Sequence, residues 1–122
     1  MKRTSEQYLK DILQFIIRVR SYTLGFKFEN FTKNQLIVDA TIRNLEIIGE
    51  AASQLSEEVK VKHPEVPWNN IKNFRNVIIH KYQTVDLEIV WDIIQHRLNP
   101  LEKQINAILT EIKRSKNDKY CN

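Results

Sequence analysis

Arg75-Asn76-Val77-Ile78-Ile79-His80-Lys81-Tyr82 concentrates more chemistry than any other stretch of the chain. A guanidinium, an amide, an imidazole and a phenol fall within eight residues. A neutral imidazole can take a proton from a ribose 2′-hydroxyl near neutral pH. The oxygen so formed can attack the adjacent phosphorus, while a guanidinium matches the phosphate and stabilises the charge that develops. Asn76 can orient the imidazole or donate to a phosphate oxygen, and Tyr82 can stack on a base. On a straight helix, Asn76 and His80 lie one turn apart on one face. Arg75 and His80 are then separated by about 7.5 Å in rise and about 140° in angle. That separation does not suit one small metal ion; it suits an extended substrate or a site shared across a symmetry axis. Each residue also has a plain reading: His80 as a helix-end packing group, Arg75 as a surface ion-pair member, Asn76 as a local hydrogen-bonding residue.

Other chemistry is poorly supplied. Two glycines, Gly25 and Gly49, cannot build a phosphate-binding loop. The single cysteine, Cys121, can neither close an intrachain disulfide nor form a metal cluster. His63, His80 and His96 follow no zinc spacing. No metal and no cofactor is expected.

These side chains need a scaffold. The chain has 122 residues, enough for one core. Only 2 Gly and 3 Pro occur, too little turn punctuation for a small all-β fold. Tyr8, Ile12, Phe15, Ile16, Val19 and Tyr22 recur at helical spacing and predict a first helix over 5–22. Gly25 marks its exit, and Phe26, Phe28 and Phe31 are expected to cover one end of the core. A second helix of about 27 residues, capped by Asn30 or Thr32, is predicted from the stripe Leu36, Val38, Ile42, Leu45, Ile48, Ala52, Leu55 and Val59. Gly49 inside it implies close approach of another backbone. His63-Pro64-Glu65-Val66-Pro67 breaks the pattern. A third helix follows Trp68 and ends near His80; a fourth opens at Thr84 or Asp86. Asn99-Pro100 reads as a capped restart for a last helix. Trp68 and Trp91 read as core or interface anchors. The sum is an all-α antiparallel helical bundle of four to five main helices. Residues 1–114 form the domain and 115–122 a frayed polar tail.

Net charge is +4, and both ends are basic: residues 1–20 hold five basic and two acidic groups, residues 100–122 five and three. Such a balance permits contact with a polyanion. The polar segment 1–10 has no apolar signal core, and no run reaches transmembrane length. Cytoplasmic residence without a membrane partner is expected.

Arg75-x4-His80-x-Tyr82, with Asn76 beside the Arg, resembles the signature of the HepT-like family of minimal HEPN-domain toxins. The resemblance spans most of the chain. It includes Asn44-Leu45-Glu46-Ile47-Ile48-Gly49-Glu50-Ala51-Ala52, then Pro67-Trp68, and Asp86-Leu87-Glu88-Ile89-Val90-Trp91 after the motif. The resemblance implies a HEPN-like bundle that pairs as a homodimer, with the motifs lining a shared cleft. It implies a metal-independent endoribonuclease acting on RNA in a toxin–antitoxin pair. Arg75 and His80 become the catalytic pair, with Asn76 supporting. Tyr82 matches the tyrosine that a cognate minimal nucleotidyltransferase antitoxin modifies with AMP. Glu50 is placed as a buried carboxylate behind Arg75, or else as a solvated Glu. The alternative function is a non-catalytic HEPN-type module that binds a nucleotidyltransferase or nucleic acid.

Overall fold

The computed structural model describes residues 2–79 and 84–120. Helix α1 spans Ser5–Thr23 and buries Leu9, Ile12, Ile16, Val19 and Thr23, a strict three-and-four spacing. The buried centre is thus Leu9, with Tyr8 and Phe15 as partly buried flanks. Thr4 opens the helix with a capping box. The Gln7 N–H donates to Thr4 Oγ1 at 3.2 Å, and the Thr4 N–H donates to Gln7 Oε1 at 2.8 Å. Gly25 takes a positive φ of 80° at the exit, a conformation other residues resist.

Helix α2, Phe28–Lys33, is a separate short turn, and α3 covers Gln35–Ser53. The cap of α3 is Asn34, whose side chain accepts from the Ile37 N–H at 3.1 Å, and not Asn30 or Thr32. The expected 27-residue helix is broken. Ser56 accepts from the Val59 N–H and opens α4, Glu57–Lys62. The Ser56 N–H in turn donates to Ser5 Oγ at 3.1 Å, fixing the corner against α1. Apolar spacing runs on through Leu55 and Val59, which hides a break that Ser56-Glu57-Glu58 encodes as a helix start. Leu36, counted in the stripe, is exposed.

The expected third helix is also two pieces, α5 (Trp68–Lys72) and α6 (Phe74–Ile78). Ile79 is extended and pairs with Val85 in one antiparallel bridge. The Asp86 N–H donates to Ile78 O at 2.8 Å. The run Val77-Ile78-Ile79 is β-branched throughout, which weakens a helix and favours this pairing. Asp86 then caps α7, Leu87–Asp92, by accepting from the Ile89 N–H.

Asn99-Pro100 does not restart a helix. The path from α7 continues through a π-turn, Ile93–Arg97, into α8, Leu98–Tyr120. The Leu98 N–H reaches Ile93 O, five residues back. Pro100 lacks an N–H and crowds the preceding turn, and a widened turn relieves that crowding without ending the helix. The expected tail is helical as far as Tyr120.

Two sets of contacts give the helix directions. Ser5 meets Ser56, so the start of α1 lies at the end of α3. Arg20 meets Glu102 and Asn99, while Glu6 meets Lys116, so α8 also runs antiparallel to α1. Phe31, fully buried, packs on Trp91 at a ring-centroid distance of 5.1 Å, with Phe28 at 6.1 Å. The aromatic segment closes one end of the core as expected. The fold is an all-α bundle, with no sheet among the described residues.

The far end of α8 is held by charge. Lys116 Nζ lies 2.6 Å from Glu6, and Lys62 Nζ lies 2.9 Å from Glu111. The hydrogen bond from Lys116 holds the Glu6 carboxyl below the usual carboxylate range, and that from Lys62 does the same for Glu111. The Glu111 contact raises Lys62. Depressed carboxylates contribute above their unfolded pKa and lose that contribution as pH falls through the folded value. The raised lysine contributes below its unfolded pKa and loses it as pH rises through the folded value. The protection factors of the amides at residues 112–117, taken against the intrinsic exchange rate at each pH, should therefore fall below about pH 4 while those of the core stay high. These pairs are exposed, so about 1 M salt at neutral pH should act in the same direction. Equal protection factors at neutral pH and below about pH 4 would show that the pairs do not hold the end of α8.

Candidate functional site

Helix α6 is short, so its neighbours must hold it. Phe74 and Ile78 bury its inner side. At its start, α5 lies against α3 at Gly49. A Cβ there would stand 2.9 Å from Ile71 O and 3.2 Å from Lys72 O, so only glycine lets the two backbones meet. The close approach expected at Gly49 is present. At the other end, the Ile79–Val85 bridge and the Asp86 N–H pin the chain on both sides of residues 80–83.

Arg75 and Asn76 are adjacent and exposed on this pinned turn. His80 and Tyr82 lie outside the described residues. Helix α6 ends at Ile78 and Ile79 is extended, so the helix expected to end near His80 stops before it. Glu50 is exposed and borders a surface depression with Tyr8 and Asp11, so the buried-carboxylate reading is corrected. The buried face of α3 at this level belongs to Ile48, Gly49, Ala51 and Ala52, which turns Glu50 outward. Among the ion pairs of the described residues, none joins Glu50 to Arg75.

A cleft of about 420 Å³ opens beside α6, between α5–α6 and the π-turn. Phe74, Val77 and Ile93 contribute apolar wall; Asn70, His96, Arg97 and Gln104 contribute polar groups. Of these four, the sequence draws attention only to His96, and only as a histidine outside any zinc spacing. The π-turn brings Asp92, His96 and Arg97 to the same opening, and helical spacing alone does not reveal it. His63 is elsewhere, with Nδ1 3.4 Å from Glu65 and Nε2 3.5 Å from Glu111. Its carbonyl accepts from Trp68 Nε1 at 2.9 Å, which anchors that indole. Among the described residues no group of three His, Cys, Asp or Glu side chains is arranged to hold a metal ion. No helix among them is long and apolar enough to cross a membrane.

A family model described as "Ribonuclease HepT-like" matches residues 12–108. A candidate RNase of Caldanaerobacter subterraneus is 39% identical over 111 residues, covering 91% of this chain and 99% of that protein. A candidate RNase of Methanocaldococcus jannaschii is 34% identical over 107 residues, 88% of this chain and 98% of the relative. A protein of Thermococcus cleftensis named "Probable ribonuclease HepT" is 35% identical over 108 residues, 88% of this chain and 98% of its own length. No solved structure matches. The matched span encloses α6, the bridge behind it and the π-turn, and on these grounds the chain belongs to the HepT-like ribonuclease family.

Proposed function

We propose that the chain is an endoribonuclease toxin that cuts RNA without a metal ion. The observation that carries this is the adjacent, exposed pair Arg75–Asn76 on a turn pinned at both ends, within the family-matched span. In this reading His80 takes the proton from a ribose 2′-hydroxyl. The 2′-oxygen forms a bond to phosphorus, and the bond to the 5′-oxygen breaks. That oxygen leaves with a proton, giving a 2′,3′-cyclic phosphate and a 5′-hydroxyl end. Arg75 meets the charge on the phosphorane and Asn76 orients the imidazole or the phosphate. A homodimer with two motifs facing one cleft, and a separate nucleotidyltransferase antitoxin that places AMP on Tyr82, complete the reading. An added AMP brings charge and bulk that oppose RNA entry. These last points rest on the family resemblance alone.

The test uses the purified chain, mixed RNA and EDTA. Cleavage should persist in EDTA and fall by on the order of a hundredfold or more in His80→Ala. A 2′-deoxyribose at the scissile position should block that bond. Cutting of the deoxy substrate at the same bond would exclude 2′-hydroxyl attack. Binding of RNA without cleavage would instead support the non-catalytic module.

A further inference from the structure

We infer that the cleft between α5–α6 and the π-turn is a nucleobase subsite, which takes one nucleotide of an RNA chain beside Arg75–Asn76. The inference rests on the ribonuclease reading for its purpose and on the cleft for its chemistry.

The cleft volume of about 420 Å³ falls within the range of small-ligand sites, and the lining has their usual make-up of apolar walls with a few polar groups. Val77 offers open apolar surface, with the nearly buried Phe74 and Ile93 as the wall behind it, against which a planar base can lie. Val77 is 41% exposed, a large apolar side chain left open where the rest of α6's apolar surface is buried. Two amides, Asn70 and Gln104, each offer both a donor and an acceptor, which is what a base edge requires. Gln104 is steadied by donating from Nε2 to Glu65 O at 3.3 Å, and its carbonyl oxygen remains for a ligand N–H.

The charges at the rim are mixed. Arg97 Nε lies 3.5 Å from Asp92, and the Arg97 side chain is 70% exposed. This exposed guanidinium lines the cleft, and its planar fork of donors suits a phosphate. Asp92 repels an anion that comes alone but accepts from a base N–H. Base and phosphate together therefore fit this rim better than phosphate alone. The π-turn is the cause of the arrangement. A widened turn is a common device at functional sites, and here it brings Asp92, Ile93, His96 and Arg97 to one opening.

Position gives the cleft its role. Val77 lines it and follows Asn76 directly on the same turn, about 3.8 Å away from Cα to Cα. In this proposal an RNA chain with one base in the cleft runs its backbone along the exposed face of α6. The subsite would thus fix which phosphate reaches Arg75.

The experiment is an amide NMR titration of the full chain with the four nucleoside 5′-monophosphates. Ribose 5-phosphate and inorganic phosphate serve as controls. Shifts should concentrate at Ile71, Val77, Ile93 and Gln104, with at least one monophosphate and with neither control. Arg97→Ala and Asn70→Ala should each weaken that binding by about fivefold to tenfold, the order of one lost polar contact at an open rim. In RNA cleavage the same variants should raise KM and leave kcat near its original value. Equal shifts with inorganic phosphate would reduce the site to a simple anion contact and overturn the proposal. Absence of shifts in the cleft at saturating monophosphate would overturn it as well. Cleft shifts that depend on protein concentration alone would assign the cleft to a second copy of the chain. If a monophosphate binds there but no RNA is ever cut, the subsite stands and the ribonuclease reading falls. If RNA is cut and the cleft variants cut it with unchanged KM, the ribonuclease reading stands and the subsite falls.

Discussion

Replacing Arg75 with Ala should lower RNA cleavage by on the order of a hundredfold to a thousandfold, the scale of losing one group aimed at developing charge. Thermal stability should stay within about 0.5 kcal/mol of the parent, because Arg75 is exposed and no described contact of the core depends on it. Arg75→Lys tests the reason. Lysine keeps the charge but not the planar fork, so it should recover only a small part of the lost rate. Lys72→Ala is the control for charge alone. Lys72 is also exposed, three residues earlier on α5. Its loss should cost a modest factor that disappears as salt is raised. The measurement is kcat/KM on a defined RNA for each variant, beside a melting curve. If Arg75→Lys cuts as well as the parent, the guanidinium serves only as a positive charge and the assigned role is wrong. If Arg75→Ala and Lys72→Ala lose equal activity, the effect is general electrostatics and not a site.

Part of this site was legible in the sequence because it depends on residue type. The apolar stripes of α1 and α8, the break at Pro64–Pro67 and the role of Gly49 all follow from local rules that the structure obeys. The Phe28 and Phe31 packing on Trp91 belongs with these, since three aromatics in a link have to find cover. The errors share another cause. Apolar periodicity predicts which face is buried but not where the hydrogen-bond ladder stops. Leu55 and Val59 kept the period going across a real break, while Ser56, bonded to distant Ser5, decided it. Val77, Ile78 and Ile79 kept a helical pattern going, while pairing of Ile79 with Val85 ended it. At Pro100 the fault was reversed. Pro100 is a local breaker, yet a π-turn absorbs it and the helix continues. That same turn assembles the cleft, so the polar rim of Asn70, Asp92, His96, Arg97 and Gln104 had no local signal to be found by. Tertiary hydrogen bonds and helix register carry this information, and neither has a period in the sequence.

The second large effect is expected far from any chemistry, at Gly49. In an open helix, Gly→Ala would stabilise by about 1 kcal/mol through helix propensity. Here the new Cβ would meet two backbone oxygens, Ile71 O at 2.9 Å and Lys72 O at 3.2 Å. Neither is the loose end of a side chain, so α5 as a whole has to move. Overpacking of this kind costs about 1–3 kcal/mol, which cancels the propensity gain or outweighs it. Gly49→Ala should therefore be neutral to destabilising by up to about 2 kcal/mol. Gly49→Val adds two methyl groups beyond alanine's Cβ, with a stiff β-branched χ1, in the same gap, and should cost about 2–4 kcal/mol. That corresponds to a fall in Tm of roughly 10 °C for a domain of this size. The displacement has a functional consequence, because α5 leads directly into α6 and Asn73 alone separates them. Gly49→Ala, assayed at a temperature where it remains folded, should therefore lose activity beyond its loss of stability. Amide exchange at Asn73 and Val77 should quicken in step, while Ile12 and Ile105 in the core stay protected. The decisive result is the sign for alanine. A gain of the full ~1 kcal/mol in Gly49→Ala would mean that α5 does not rest on α3 at this point, and that something other than this contact holds Arg75 in place.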